Sequence, residues 1–156
     1  MPDLRTDKNQ AIHEINNRLF FRLFQVANTL HTKGSQAVEQ FGMTTQRWSV
    51  LGALTRPQAA SGMSIGDLSR FLLVSRQNLT GLLSRLERDG LIERVTSEDD
   101  RRSRMVKLST QGEVLWQELQ DPIHSFYDQA LKDLSFDDRV AFIHYFTKLQ
   151  TNMSKL

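Results

Sequence analysis

Ser75-Arg76-Gln77-Asn78-Leu79-Thr80-Gly81-Leu82-Leu83-Ser84-Arg85-Leu86-Glu87-Arg88-Asp89-Gly90 is the stretch whose reading decides the fold. Leu79, Leu82, Leu83 and Leu86 recur at i, i+3, i+4 and i+7, which is one apolar face of an α-helix. Arg76, Gln77, Thr80, Ser84 and Arg88 fall on the other side. Ser75 is placed to cap the start, and Gly90 suits the left-handed position that closes a helix. No acid precedes Glu87, so the exposed face of the first turns offers only donors and hydroxyls. Arg, Gln and Thr are side chains that read base edges in a major groove. Taken alone, the stretch reads more readily as a solvated amphipathic helix; its flanks reverse that reading.

Upstream, Ser64-Ile65-Gly66-Asp67 has the Ser-x-x-Asp spacing of a capping box. It opens a short helix with Ile65, Leu68 and Leu72 inward. Only Leu73-Val74 separates that helix from Ser75, so the two must cross steeply, as in a helix-turn-helix. Downstream of Gly90 the period changes from 3.6 to 2. Leu91 to Thr96 reads as a strand and Arg104 to Leu108 as its partner. The loop between them, Ser97 to Ser103, is too long and too charged for a tight turn. A helix-turn-helix followed at once by a hairpin with an Arg-bearing tip is a winged helix.

The remaining chain is helical. Residues 1 to about 9 are polar and expected to fray. Ala11 to Thr32 reads as a long helix striped by Ile12, Ile15, Leu19, Leu23, Val26 and Leu30, with Phe20, Phe21, Phe24 and Ala27 widening its apolar surface. Lys33-Gly34 is expected to end or bend it, and a short turn over Ser35 to Phe41 closes at Gly42. Thr44 caps a helix running to about Thr55, with Met43 and Trp48 at the spacing of a hydrophobic staple. After the hairpin, Thr110-Gln111-Gly112-Glu113 reads as a capping box, and Pro122 should kink or break the helix it opens. Ser135 caps a final helix lined by Val140, Ile143, Phe146, Leu149 and Met153. The expected fold class is therefore mainly α with a small β-hairpin wing (α+β): a winged helix-turn-helix with N- and C-terminal dimerisation helices. The expected divisions are 1–34 for the N-terminal dimerisation helix, 35–109 for the DNA-binding domain and 110–156 for the C-terminal dimerisation helices. The first and last helices carry more apolar surface than such a core can cover, so the simplest burial is against a second copy, giving a homodimer.

Composition narrows the function. The chain has 156 residues, a formal charge of +2 and no cysteine; its pI is near 9.2. Weak overall basicity means that nucleic-acid binding has to be argued from where the charge sits. Without cysteine there is no disulfide, thiolate metal site or thiol switch. His13, His31, His124 and His144 are scattered without ligand spacing, so neither a metal nor another cofactor is expected. The N-terminus shows no signal-peptide pattern and no stretch is long enough to span a membrane, which fits a cytoplasmic location. No phosphate loop, nucleophile elbow or paired His-Glu motif is present, so no enzymatic activity is expected. A winged-helix protein-interaction module without ligand sensing stands as the alternative to a DNA-binding regulator.

Leu68-Ser69 and the turn after it, Leu86-Glu87-Arg88-Asp89-Gly90-Leu91-Ile92, and Asp100-Arg101-Arg102-Ser103-Arg104-Met105-Val106-Lys107-Leu108-Ser109 together resemble the MarR family of bacterial winged-helix transcription regulators. The resemblance covers nearly the whole chain. Ser109-Thr110 departs slightly from the family's Leu-Thr ending. The resemblance implies a homodimer, a palindromic double-stranded DNA operator and control by a small molecule, with repression the expected sign. Family members that sense peroxide do so through a cysteine, which this chain lacks.

The candidate DNA contacts follow from position and chemistry. Arg76, Gln77 and Thr80 lie in the first turns of the recognition helix, the part that reaches base edges, with Ser84 one turn on. Ser75 and Asn78 are placed for phosphates. Gly81 points to the exposed side and costs about 1 kcal/mol relative to alanine, so it lets the DNA backbone approach, is simply tolerated, or packs on a neighbour. Arg85, nearer the apolar boundary, is expected to pair with Glu87 or Asp89. In the wing, Arg101, Arg102 and Arg104 face Glu98, Asp99 and Asp100; Asp100 is expected to hold an arginine at the wing's base and so aim Arg102 into a minor groove. For the effector, the resemblance implies a cleft between the first two helices, the fifth helix and the DNA-binding core. The matching positions are Phe24, His31, Arg47 and Trp48, with His13 a further candidate, and they suit an aromatic carboxylate or its thioester.

Overall fold

A computed structural model of the protein describes residues 4–96 and 104–156, with side chains from residue 8 onward. Asp100, Arg101 and Arg102 fall within residues 97–103, outside the described residues. The chain divides into two compact units, Met1–Ile123 and His124–Leu156.

The first unit opens with α1, Leu4–Val38, a single helix of 35 residues. It begins well before the expected Ala11, and Lys33-Gly34 does not end it. The glycine serves packing instead. A Cβ at Gly34 would lie 2.5 Å from Thr45 Cγ2 and 3.4 Å from the Trp48 ring, so only glycine lets the helix approach that closely. Val38, fully buried, anchors the last turn. A 3-10 turn, Glu39–Phe41, then closes at Gly42 with φ of 66°, a left-handed position. Helix α2, Thr45–Leu54, is capped as expected: Thr44 accepts a hydrogen bond from the Arg47 N–H.

Strand β1, Met63–Ser64, has only two residues, too few for any period to reveal it in the sequence. Its last residue caps α3, Ile65–Leu72, by accepting from the Asp67 N–H. Leu73 turns the chain with φ of 56°, unusual for a branched side chain, and Ser69 Oγ donates to the Val74 carbonyl at 2.7 Å across the turn. The next helix, α4, Arg76–Arg88, starts at Ser75, whose hydroxyl accepts from the Asn78 N–H, and stops before Gly90 with φ of 74°. Strands β2, Ile92–Thr96, and β3, Arg104–Leu108, form the hairpin, with Ile92 opposite Leu108 and Thr96 opposite Arg104. The sheet order is β1-β3-β2, all antiparallel.

Helix α5, Thr110–Ala130, corrects two expectations. Its cap is Ser109, not Thr110: Ser109 Oγ accepts from the Gly112 N–H at 3.0 Å and donates to the Gly90 carbonyl at 2.6 Å. That second bond ties the end of the recognition helix to the start of α5. Pro122 lies inside the helix and does not break it. An interior proline costs about 3 kcal/mol, while fully burying a large aliphatic side chain contributes about 1.5–3 kcal/mol. Leu119 and Ile123, both buried, flank the proline and hold the turn in place. The core of this unit joins Val50, Leu51, Leu68, Leu79, Leu83, Leu86, Val106 and Leu119.

The second unit holds the end of α5 and α6, Phe136–Met153. Ser135 forms a full capping box with Asp138: each side chain binds the other residue's backbone N–H, at 3.1 and 2.9 Å. No residue of α6 is buried. Phe142 and Phe146 stack at 5.9 Å on its surface, and Ile143 is exposed.

Candidate nucleic-acid interface

Helix α4 is set by its buried side. Leu79, Leu83 and Leu86 are fully buried and Leu82 packs at the edge of the core, so the periodicity read from the sequence holds. The opposite face is open: Ser75, Arg76, Gln77, Asn78, Thr80, Gly81 and Ser84 are all exposed. Nothing lies within 4 Å of where a Gly81 Cβ would stand, so this glycine packs on no neighbour. Thr80 Oγ1 donates to the Arg76 carbonyl at 2.7 Å, which fixes the hydroxyl and turns its lone pairs outward.

The acids at the far end of α4 are neutralised, and not by Arg85. Glu87 takes two hydrogen bonds from Arg94 Nε of β2, at 3.0 and 3.2 Å. Asp89 pairs with Arg47 of α2, and Arg88 lies 3.6 Å from its other oxygen. Arg47 also donates to the Gly42 carbonyl at 2.6 Å, so one guanidinium joins the entry of α2 to the exit of α4. The Arg47 hydrogen bond is the main cause holding the Asp89 carboxyl below its ordinary range. Arg85 was placed on the wrong partners because both acids are claimed by residues distant in sequence.

At the other end of α4, Arg76 leans back across α3. A Cβ at Gly66 would lie 3.1 Å from Arg76 Nη2 and 3.7 Å from Arg70 Nη1. Arg70 pairs with Asp67, whose second oxygen accepts from Ser64 Oγ at 2.7 Å. The Ser64 hydrogen bond, and after it that from Arg70, holds the Asp67 carboxyl below its ordinary range. Sequence reasoning passed over Gly66 and Arg70. The i,i+3 spacing of Asp67 and Arg70 was the one local signal available. In the wing, Arg104 is exposed at the start of β3, and Lys107 pairs with Glu93 at 3.1 Å across the hairpin.

The effector candidates are only partly gathered. His31 Nδ1 and Thr45 Oγ1 are 2.7 Å apart, and Trp48 faces Gly34, so these two residues share the α1–α2 seam. Phe24 is exposed, two turns up α1, about 10 Å away along the axis. His13 is 18 residues from His31 on the same helix, about 27 Å, and cannot share a small-molecule site with it. Arg47 instead faces a cleft of about 390 Å³ with Phe41, Asp89, Leu91, Gln111, Val114, Leu115 and Glu118. Its Nε is buried and has no hydrogen-bond partner among the described residues. A second cleft of about 780 Å³, lined by Arg56, Lys107, Glu113 and Trp116 among others, contains none of the expected residues.

A family model described as "MarR family" matches residues 41–103, from the 3-10 turn into the wing. The chain is 53% identical over 144 residues to the transcriptional activatory protein BadR of Rhodopseudomonas palustris, spanning 92% of this chain and 82% of that protein. It is 28% identical over 115 residues to the homoprotocatechuate degradative operon repressor of Escherichia coli, spanning 74% and 76%. The fold matches that of S. aureus MepR in its DNA complex, with a TM-score of 0.74 at 24% identity over 86% of this chain and 94% of that one. With a winged helix whose recognition helix, hairpin and capped fifth helix stand in the order read from the sequence, the chain belongs to the MarR family of transcription regulators.

Proposed function

We propose that this regulator binds DNA as a homodimer, each copy laying α4 in a major groove of an inverted repeat. The observation that carries the reading is the exposed face of α4: its first two turns present Arg76, Gln77, Asn78 and Thr80 with no acid among them. Gln77, Thr80 and Ser84 face the bases, Ser75 and Asn78 the backbone, and Arg101, Arg102 and Arg104 of the wing the neighbouring minor groove. Dimerisation is supported by apolar side chains that the chain leaves uncovered. Ile15, Phe21 and Phe24 on α1 and Ile143 and Phe146 on α6 are each at least half exposed. Burying such a side chain contributes about 1.5–3 kcal/mol.

A small-molecule effector acts, on this reading, at the Arg47 cleft. The cleft has the size of a drug-like ligand site, apolar side chains at Phe41, Leu91, Val114 and Leu115 beside polar ones at Asp89, Gln111 and Glu118, and a buried Arg47 Nε with no hydrogen-bond partner among the described residues. An aromatic carboxylate supplies both the ring and the acceptor; the relative named for homoprotocatechuate carries such an acid in its name. Binding there competes with Asp89 for Arg47 and so loosens the end of α4. The sign of regulation depends on where the operator lies relative to a promoter. Relatives named as an activatory protein and as a repressor carry both signs.

Selection from a random duplex pool tests the reading. The expected product is an inverted repeat with half-sites one helical turn apart, roughly 34 Å. Truncation before Ser135 is expected to abolish the dimer and specific binding together. A stable full-length monomer in sedimentation that still protects a palindrome with high affinity would refute the architecture. Placing the selected site upstream of a reporter then reads the sign directly.

A further inference from the structure

Two guanidinium groups from different helices converge on one glycine. Arg70 of α3 and Arg76 of α4 both reach the space where a Gly66 side chain would begin, within 3.7 and 3.1 Å of that point. Like charges brought together on an exposed surface repel, and the local carboxylate does not balance them. Asp67 pairs with Arg70, while Arg76 has no ion-pair partner among the described residues. The group therefore keeps one unit of positive charge. It sits where α4 begins, at the end of the helix that carries the candidate base contacts. Two planar forks around an empty Cβ position form a binding place for an oxyanion with several acceptor oxygens.

We propose that Arg70 and Arg76 clamp a single DNA phosphodiester over Gly66, and that Asp67 is the resident anion which the phosphate displaces from Arg70. The inference rests on the DNA-binding reading above and adds Gly66, Asp67 and Arg70 to it. It also assigns Arg76 a backbone contact, indifferent to sequence, in place of the base contact expected from its position. Asp67 then weakens binding to any DNA by competing for Arg70. Gly66 leaves that space free; a methyl group there would take up part of it and push the Arg76 guanidinium back by a few tenths of an ångström.

Fluorescence anisotropy on a random-sequence duplex of about 30 base pairs, titrated at several KCl concentrations, tests this without knowledge of the operator; the length accommodates two half-sites one turn apart. Arg70→Ala and Arg76→Ala are each expected to weaken binding about tenfold, the effect of losing one charge-assisted contact. Because the two share one phosphate, the double variant is expected to lower the salt slope by about 0.9 per protomer, the value for one phosphate, rather than by twice that. Asp67→Asn is expected to tighten binding several-fold. Gly66→Ala is expected to weaken it while leaving the melting temperature unchanged or raised, because alanine favours the helix. Arg70→Gln repeats the measurement if Arg70→Ala lowers the melting temperature. A slope that falls by two phosphates per protomer, a slope that does not fall, or an Asp67→Asn variant that binds more weakly overturns the clamp. Wild-type protein that fails to bind random duplex even at low salt overturns the DNA-binding reading itself, and the clamp with it.

Discussion

Gly112 and Gly81 both lie inside helices, yet substitution by alanine is expected to act in opposite directions. A Cβ at Gly112 would stand 1.9 Å from the Leu91 carbonyl oxygen and 3.0 Å from its carbon. That carbonyl cannot rotate away, since it accepts the Ser109 N–H at 3.1 Å where the hairpin meets α5. Relieving the overlap to an ordinary approach of 3.4 Å requires the start of α5 and the residue preceding β2 to separate by about 1.5 Å. Overpacking costs about 1–3 kcal/mol; an overlap this large against backbone falls in the upper part of that range, about 2–3 kcal/mol, and helix propensity returns about 1 kcal/mol. The net loss for Gly112→Ala is therefore about 1–2 kcal/mol, or about 2–8 °C in melting temperature for a chain of this size. At Gly81 nothing stands within 4 Å of the new methyl, so only the propensity term acts. Gly81→Ala is expected to gain up to about 1 kcal/mol, or about 2–4 °C. Thermal unfolding followed by circular dichroism at one protein concentration measures both, the fixed concentration being required for a protein proposed to dimerise. A Gly112→Ala protein that melts at or above the wild type would show that the α5–hairpin contact yields freely, and the reasoning would fail.

Three further outcomes follow from the same geometry. Leu83→Ala, in the fully buried face of α4, is expected to lose about 2–5 kcal/mol in chemical denaturation; a loss below about 1 kcal/mol would place Leu83 outside the core. Arg47→Met and Asp89→Asn should each lower the melting temperature, and the double variant should lose less than their sum because the two share one contact; strict additivity would separate them. Asp67, Asp89 and Asp138 all have carboxyl groups held below the ordinary 3.8 by hydrogen bonds, from Ser64, Arg47 and Ser135 respectively. Their folded values lie below the unfolded ones, so their contribution is present above 3.8 and is lost as pH falls through the depressed values. Melting temperature is therefore expected to decline below about pH 4, and Asp89→Asn should flatten that decline; an unaltered profile would remove Asp89 from the account.

What the sequence disclosed was periodic or local. The α4 face, the two strand spans (β2 to within one residue) and the caps at Thr44, Ser64, Ser75 and Ser135 each depend on residues within a few positions of one another, and each stands where the pattern put it. What it concealed was decided across the fold. Gly34 looks like a helix terminator until Thr45 and Trp48 are seen pressed against its missing side chain. Pro122 looks like a break until Leu119 and Ile123 are found buried on either side of it. Thr110 has capping-box spacing, but Ser109 wins the cap because its hydroxyl can also reach the Gly90 carbonyl. The two residues of β1 carry no period at all. For the candidate site the same division holds. The exposed residues of α4 could be named from the stripe of leucines alone, whereas Arg70 meets Arg76 only once α3 has crossed α4.

The contacts at the two ends of α4 differ in a way that bears on regulation. At its exit, Arg47 is engaged by Asp89 and by the Gly42 carbonyl, so the end of the helix is fixed to the entry of α2. At its entry, Arg76 has no ion-pair partner among the described residues, and the Asp67 carboxylate is engaged by Arg70 and Ser64. One end is thus tied within the chain, and on the proposed clamp the other takes its anion from outside. A ligand that draws Arg47 away from Asp89 disturbs the tied end without touching the groups proposed to meet DNA. The proposed route for that disturbance is the helix itself, packed on the buried Leu79, Leu83 and Leu86. On the proposed function, then, the Arg47→Met protein should bind DNA with altered affinity even though Arg47 lies far in sequence from every candidate contact. Its response to an aromatic acid should vanish as well. Unchanged DNA affinity together with a retained ligand response would separate the cleft from the recognition helix and leave the effector to be sought elsewhere, the larger cleft beside Trp116 first.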